Sequence, residues 1–212
     1  MSWNECLYHY YKTHGGFFLG GQDNDALLLF TWKDQPLAVD LYRVSGRGSS
    51  ANYVQARISV TLAKPYKLFI SAAGKLSGGV NAILKAVPGL PDNSILPADF
   101  GFPEVTKKRL IRSNNHAFTK LVLGSLEFRN ALLACPLEKI EVRPGPGDEG
   151  VHLITVITAS AITDFSNGDW ELEDTTSFST QKEYIDEKFF PRMDRFLDLA
   201  RAAYNAVTQW PM

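Results

Sequence analysis

The sequence predicts an α+β fold: a mainly antiparallel β-sheet of about six to seven strands, with helices packed on one face, a C-terminal amphipathic helix among them. Three observations carry this. Residues 53–62 alternate strictly, with Val54, Ala56, Ile58, Val60 and Leu62 on one side and Gln55, Arg57, Ser59 and Thr61 on the other. Such alternation means one buried and one wet face. The strand-like segments of the first third are joined by short turns, which favours antiparallel neighbours. Near the C-terminus, Met193, Phe196, Leu197, Ala200, Tyr204 and Val207 fall on one stripe at helical spacing, a docking face for the sheet.

The elements follow in chain order. Residues 3–12 are rich in aromatic side chains and read as a short helix, stopped by His14-Gly15-Gly16 because glycine adopts the left-handed conformation that ends helices. Residues 15–25 read as a loop or irregular strand. Ala26–Trp32 is a compact apolar strand, Lys33-Asp34-Gln35-Pro36 a turn, and Leu37–Val44 an alternating strand. Ser45–Ser50 is a connection to the strand at 53–62. Lys64-Pro65 turns the chain, and Tyr66–Ser71 returns beside its predecessor, so that four consecutive strands are neighbours.

Residues 74–104 break the pattern, with five glycines and four prolines. Within them Val80, Ile83, Leu84 and Val87 mark one face of a short helix. A connector of this length is usually functional or mobile. The stripe is expected to dock on its own domain as a minor core extension; the sharper hypothesis is a lid over a ligand pocket or a subunit interface. Gly74, Gly78, Gly79 and Pro88-Gly89 would be its hinges. One domain spans 1–212, with a possible subdivision near 74–104.

In the second half, Val105–Arg112 reads as a basic edge strand and Ser113 as the cap of a helix over 114–123. Ser125 starts another helix to Ala134. Leu137–Arg143 and Val151–Ala159 form a hairpin around the loop Pro144–Gly150. Thr180-Gln181-Lys182-Glu183 matches a capping box, and Pro191 suits the first turn of the last helix. The order of residues 104–143 (a strand ending in Arg112-Ser113-Asn114-Asn115, a helix pair with Leu123 and Leu133, then a strand) resembles an arrangement in bacterial proteins of unknown function. That resemblance covers about half the chain and implies no active site.

Composition narrows the function classes. The chain has 212 residues, 45% hydrophobic and 21% charged, with 22 basic and 23 acidic residues. Collagen, low-complexity disorder and whole-chain coiled coil are excluded. The balanced charge gives no field for nucleic acid or an anionic membrane. Two cysteines do not make a disulfide scaffold. The N-terminus lacks a signal-peptide pattern, and no strictly apolar run exceeds five residues, so a soluble cytoplasmic protein is expected.

Few residues are spaced for chemistry. Cys6, His9 and His14 have metal-like spacing, but the pattern is not repeated and no Cys-x-x-Cys occurs, so packing is expected and no metal. Asp23-Asn24-Asp25 lacks the further oxygens of a calcium loop. Gly15–Gly21 matches neither phosphate-binding fingerprint. Gly46-Arg47-Gly48-Ser49-Ser50 could hold a phosphate through Arg47 and backbone N–H groups, but a mobile hairpin loop is expected. Gly-x-Ser-x-Gly is absent, and neither His116, His152 nor Cys135 has a sequence partner suggesting a triad. Charge is segregated: Lys107, Lys108, Arg109 and Arg112 form a candidate basic patch, and residues 164–187 hold eight acids against Lys182. Two solvated faces are the plain reading; the functional one is complementary patches that pair subunits or bind a partner. The expectation is a non-catalytic binding or assembly protein, self-associating or meeting a protein partner, with no cofactor, no nucleic acid and no membrane. The alternative is an enzyme whose small-molecule pocket is assembled from scattered polar residues.

Overall fold

The computed structural model describes residues 3–20, 25–46, 49–72, 95–135, 137–146, 150–158, 183 and 185–211. Helix α1 (Trp3–His14) leads to strands β1 (Phe17–Leu19), β2 (Leu27–Trp32), β3 (Gln35–Gly46), β4 (Ser49–Thr61) and β5 (Leu68–Ala72). Then come β6 (Leu96–Pro97), the single-turn helix α2 (Pro103–Thr106), β7 (Arg109–Ser113), α3 (His116–Gly124), α4 (Leu126–Ala134), β8 (Leu137–Pro144) and β9 (Val151–Thr158). A π-helical turn, Ile185–Phe189, runs into α5 (Phe190–Thr208). The class is α+β, as the sequence predicts.

All described strands join one antiparallel sheet of nine, ordered β1-β2-β3-β4-β9-β8-β5-β7-β6. The number exceeds the expected six to seven because the two edge strands, three and two residues long, are too short to show alternation. Val54, Ala56, Ile58 and Val60 are buried as expected. Across the register Ala56 meets Val39 and Val156, Ile58 meets Leu37 and Ile154, and this inner face packs on the helices. Helix α5 buries the predicted stripe except Tyr204, which is half-buried. Leu199, Ala202, Ala203 and Ala206 are buried too, because α5 packs on α4 as well as on β4 and β9. Burial of this stripe is the main support of the helix, since propensity alone stabilises it weakly.

Four local expectations are corrected. Strand β5 is not the neighbour of β4: the β8–β9 hairpin lies between them. The segment before β5 is fastened from elsewhere. The Tyr66 N–H donates to His152 Nε2 at 2.9 Å, and the Lys67 N–H donates to Asn114 Oδ1 at 2.8 Å. Second, residues 103–106 are helical, so the basic strand begins only at Arg109; Pro103 sits in the first turn, where its missing N–H costs nothing. Third, the cap of α3 is Asn115, whose side chain accepts from the Phe118 N–H at 3.0 Å. Ser113 Oγ instead accepts from the Asn115 N–H and the Thr119 hydroxyl. The turn after β2 is also tighter than expected: Lys33 and Asp34, both at positive φ, suffice, and Pro36 already lies in β3.

Candidate functional site

The predicted site residues are dispersed. Val80, Ile83, Leu84 and Val87, and the glycines expected to flank them, lie outside the described residues. So do Asp23, Asn24, Arg47, Gly48 and the capping box at Thr180-Gln181-Lys182. Of the basic patch, Lys107 and Lys108 are exposed after α2. Arg109 and Arg112 stand on opposite faces of β7. The Arg109 guanidinium donates to the carbonyls of Leu132 (3.0 Å) and Cys135 (3.2 Å), closing the C-terminal end of α4, and its burial lowers its pKa. The four residues therefore do not form one surface.

The reactive side chains serve as packing. Burial pushes the Cys6 thiol up to about 12 and the Cys135 thiol to about 11. At neutral pH neither is a nucleophile or a ready metal ligand. Cys6 lies in the core while His9 and His14 are on the exposed side of α1. Among the described residues no three His, Cys, Asp or Glu side chains converge as metal ligands do. His152 is buried with both ring nitrogens occupied: Nε2 accepts from Tyr66, and Nδ1 donates to the Gly150 carbonyl at 2.9 Å. The ring is thereby fixed as the Nδ1-protonated tautomer. His116 is exposed and meets Phe100 edge-on at 5.5 Å.

Two features stand out that sequence reading missed. The first is a charged row on the sheet face opposite the helices. Arg57 donates to Asp40 at 2.6 Å, yet burial raises the Asp40 carboxyl more than the guanidinium lowers it. Arg57 lies across from Thr155, and Thr155 across from Glu141. Glu141 pairs with Lys139 at 3.5 Å, both buried, and Lys139 also stands over the Tyr42 ring. Alternation in Lys139-Ile140-Glu141-Val142-Arg143 places the charges on one side, but only the register shows which charges meet.

The second feature is the sheet edge at β1. Phe17 and Leu19 lie across from Leu29 and Leu27 on the outer face. They are 60% and 47% exposed, and Leu27 and Leu29 are half-buried. Phe18 turns the other way, onto α1. Its ring lies 5.9 Å from Tyr11 and 5.5 Å from Tyr8, and Tyr8 is itself 45% exposed. Both faces of this terminal strand are thus apolar. No residue from Gly15 to Gly20 carries a charge. Edge strands are ordinarily blunted by charge, proline or a bulge, because their free N–H and C=O groups invite pairing. The opposite edge is so guarded: β6 is two residues long and contains Pro97, which has no N–H.

Two glycines build this edge. Gly16 has φ +104°, and a Cβ there would stand 2.6 Å from the Leu29 carbonyl oxygen, so only glycine lets the chain leave α1 and lie against β2. A Cβ on Gly20 would collide with the Phe18 ring. The glycines that fail as a phosphate loop in sequence thus shape an exposed apolar strand. Compared with family models, curated proteins and solved structures, the chain matches none. Among the described residues no helix is long and apolar enough to cross a membrane.

Proposed function

We propose that this chain is a non-catalytic binding or assembly protein that engages its partner through β1 and the apolar strip beside it. The carrying observation is the exposure of Phe17 and Leu19 on an uncharged terminal strand. Exposed apolar surface at an open sheet edge is the material of β-augmentation, in which main-chain hydrogen bonds give affinity and alternate side chains give specificity. The buried thiols, the His152 tautomer and the Arg109 contacts support the same reading, because these particular groups are spent on holding the fold.

The test is site-specific photo-crosslinking in the cells that make the protein. A photoreactive phenylalanine analogue replaces Phe17 in one variant and the exposed Leu121 of α3 in a control. Position 17 should give a discrete adduct that position 121 does not. Equal labelling from both, or none from position 17, overturns the reading.

A further inference from the structure

We infer that the occupant of the β1 edge is a second copy of this chain, paired antiparallel through β1 about a two-fold axis. This rests on the reading above and names its partner. A two-fold contact uses one patch twice, so the patch must be complementary to itself. Strand β1 meets that condition. With Phe18 on the axis, Phe17 of one copy lies opposite Leu19 of the other, and both exposed side chains on the outer face gain an apolar neighbour. On the inner face the Phe18, Tyr8 and Tyr11 rings of the two copies come together.

Charge selects the same orientation. The chain entering β1 carries exposed Lys12, and the chain leaving it carries exposed Asp25. Antiparallel pairing sets the entering chain of one copy beside the leaving chain of the other, opposing basic to acidic flanks. Parallel pairing would set Lys12 against Lys12 and Asp25 against Asp25. At the other described edge Leu96 is also exposed, but that strand is two residues long and Pro97 removes a donor. A three-residue seam belongs to the small class of interface, below about 1,200 Å², so the dimer forms reversibly with concentration and is not obligate.

The experiment is sedimentation velocity on the full chain over a concentration series, from low micromolar to near-millimolar. The wild type should shift from monomer towards dimer. The double variant Phe17→Lys/Leu19→Lys, altered only at exposed positions, should weaken the dimer at least about tenfold with its melting temperature unchanged. Register is read independently. Residues directly opposite in an antiparallel pair are about 4.5–5.5 Å apart at Cα, within disulfide reach. Mixed Phe17→Cys and Leu19→Cys chains should therefore oxidise to the cross-linked heterodimer in preference to either homodimer. A wild type that stays monomeric throughout, a double variant that associates like wild type, or disulfides without preference for the heterodimer overturns the inference. If the Phe17 photo-adduct has a mass other than twice the chain's, the occupant is another protein: the binding reading then stands and this inference falls.

Discussion

His152 shows how one side chain can tie together segments far apart in the sequence. It opens β9, yet its ring reaches the N–H of Tyr66, on the segment that leads into β5, while its other nitrogen holds Gly150 at its own turn. A neutral imidazole is suited to this, because it donates from one nitrogen and accepts at the other. Replacing His152 with alanine leaves the buried Tyr66 N–H without an acceptor. That change should destabilise the protein by about 1–3 kcal/mol, read as a lowered urea midpoint with unchanged slope. A midpoint equal to that of wild type would show that the bond contributes nothing. The residue is unremarkable in sequence, one of four histidines at the start of a strand. Its partner is 86 positions away, and no local pattern announces it.

At the scale of elements, legibility follows length and periodicity. The long alternating strand β4, the hairpin β8–β9 and helix α5 are readable because each buries one face and the periodicity repeats enough times to be seen. Helix α4 is readable from its punctuation: Ser125 accepts from the Phe128 N–H and supplies one of the acceptors that the first turn lacks. Ser125→Ala should cost about 1 kcal/mol, and Ser125→Asp should restore most of it, since a carboxylate also suits the helix N-terminus. Thermal melting of the two variants checks this; equal losses in both would remove the capping role. The candidate site is barely legible. Strand β1 is three residues long inside a run of glycines, and its meaning depends on lying at the end of the sheet with no further described strand beyond it. For the charged row the residue types are visible, but Asp40, Arg57, Thr155 and Glu141 are brought together only by pairing across β3, β4, β9 and β8.

At the scale of the whole molecule, burial couples stability to pH on the alkaline side. Cys6 and Cys135 are held near 12 and 11 against an ordinary 9.0. Burial raises Tyr10 as well, as does its hydrogen bond to Asp194, and burial likewise raises Tyr66. Each of these groups keeps its proton longer in the folded chain than in the unfolded one. Above about pH 9 the unfolded chain therefore binds fewer protons, and stability falls as pH rises. Urea midpoints should be lower near pH 10 than near pH 8, with part of the difference abolished in the double variant Cys6→Ala/Cys135→Ala. A flat profile across that range would contradict the burial of these groups.

The sequence by itself determined the class of this protein, α+β, its main strands and helices, and the inner face of the sheet. The physical reason is that burial imposes a period on each element, two for strands and 3.6 for helices, and a period is a local property of the chain. Only the tertiary structure decided the strand order, in which the β8–β9 hairpin separates β4 from β5, because pairing between distant segments leaves no periodic trace. It alone also decided which apolar residues stay outside. Leu28 is buried and Phe17 is exposed, though both belong to short apolar strands. What distinguishes them is position in the sheet: Leu28 lies under α1 on a paired strand, and Phe17 faces outward on the last one.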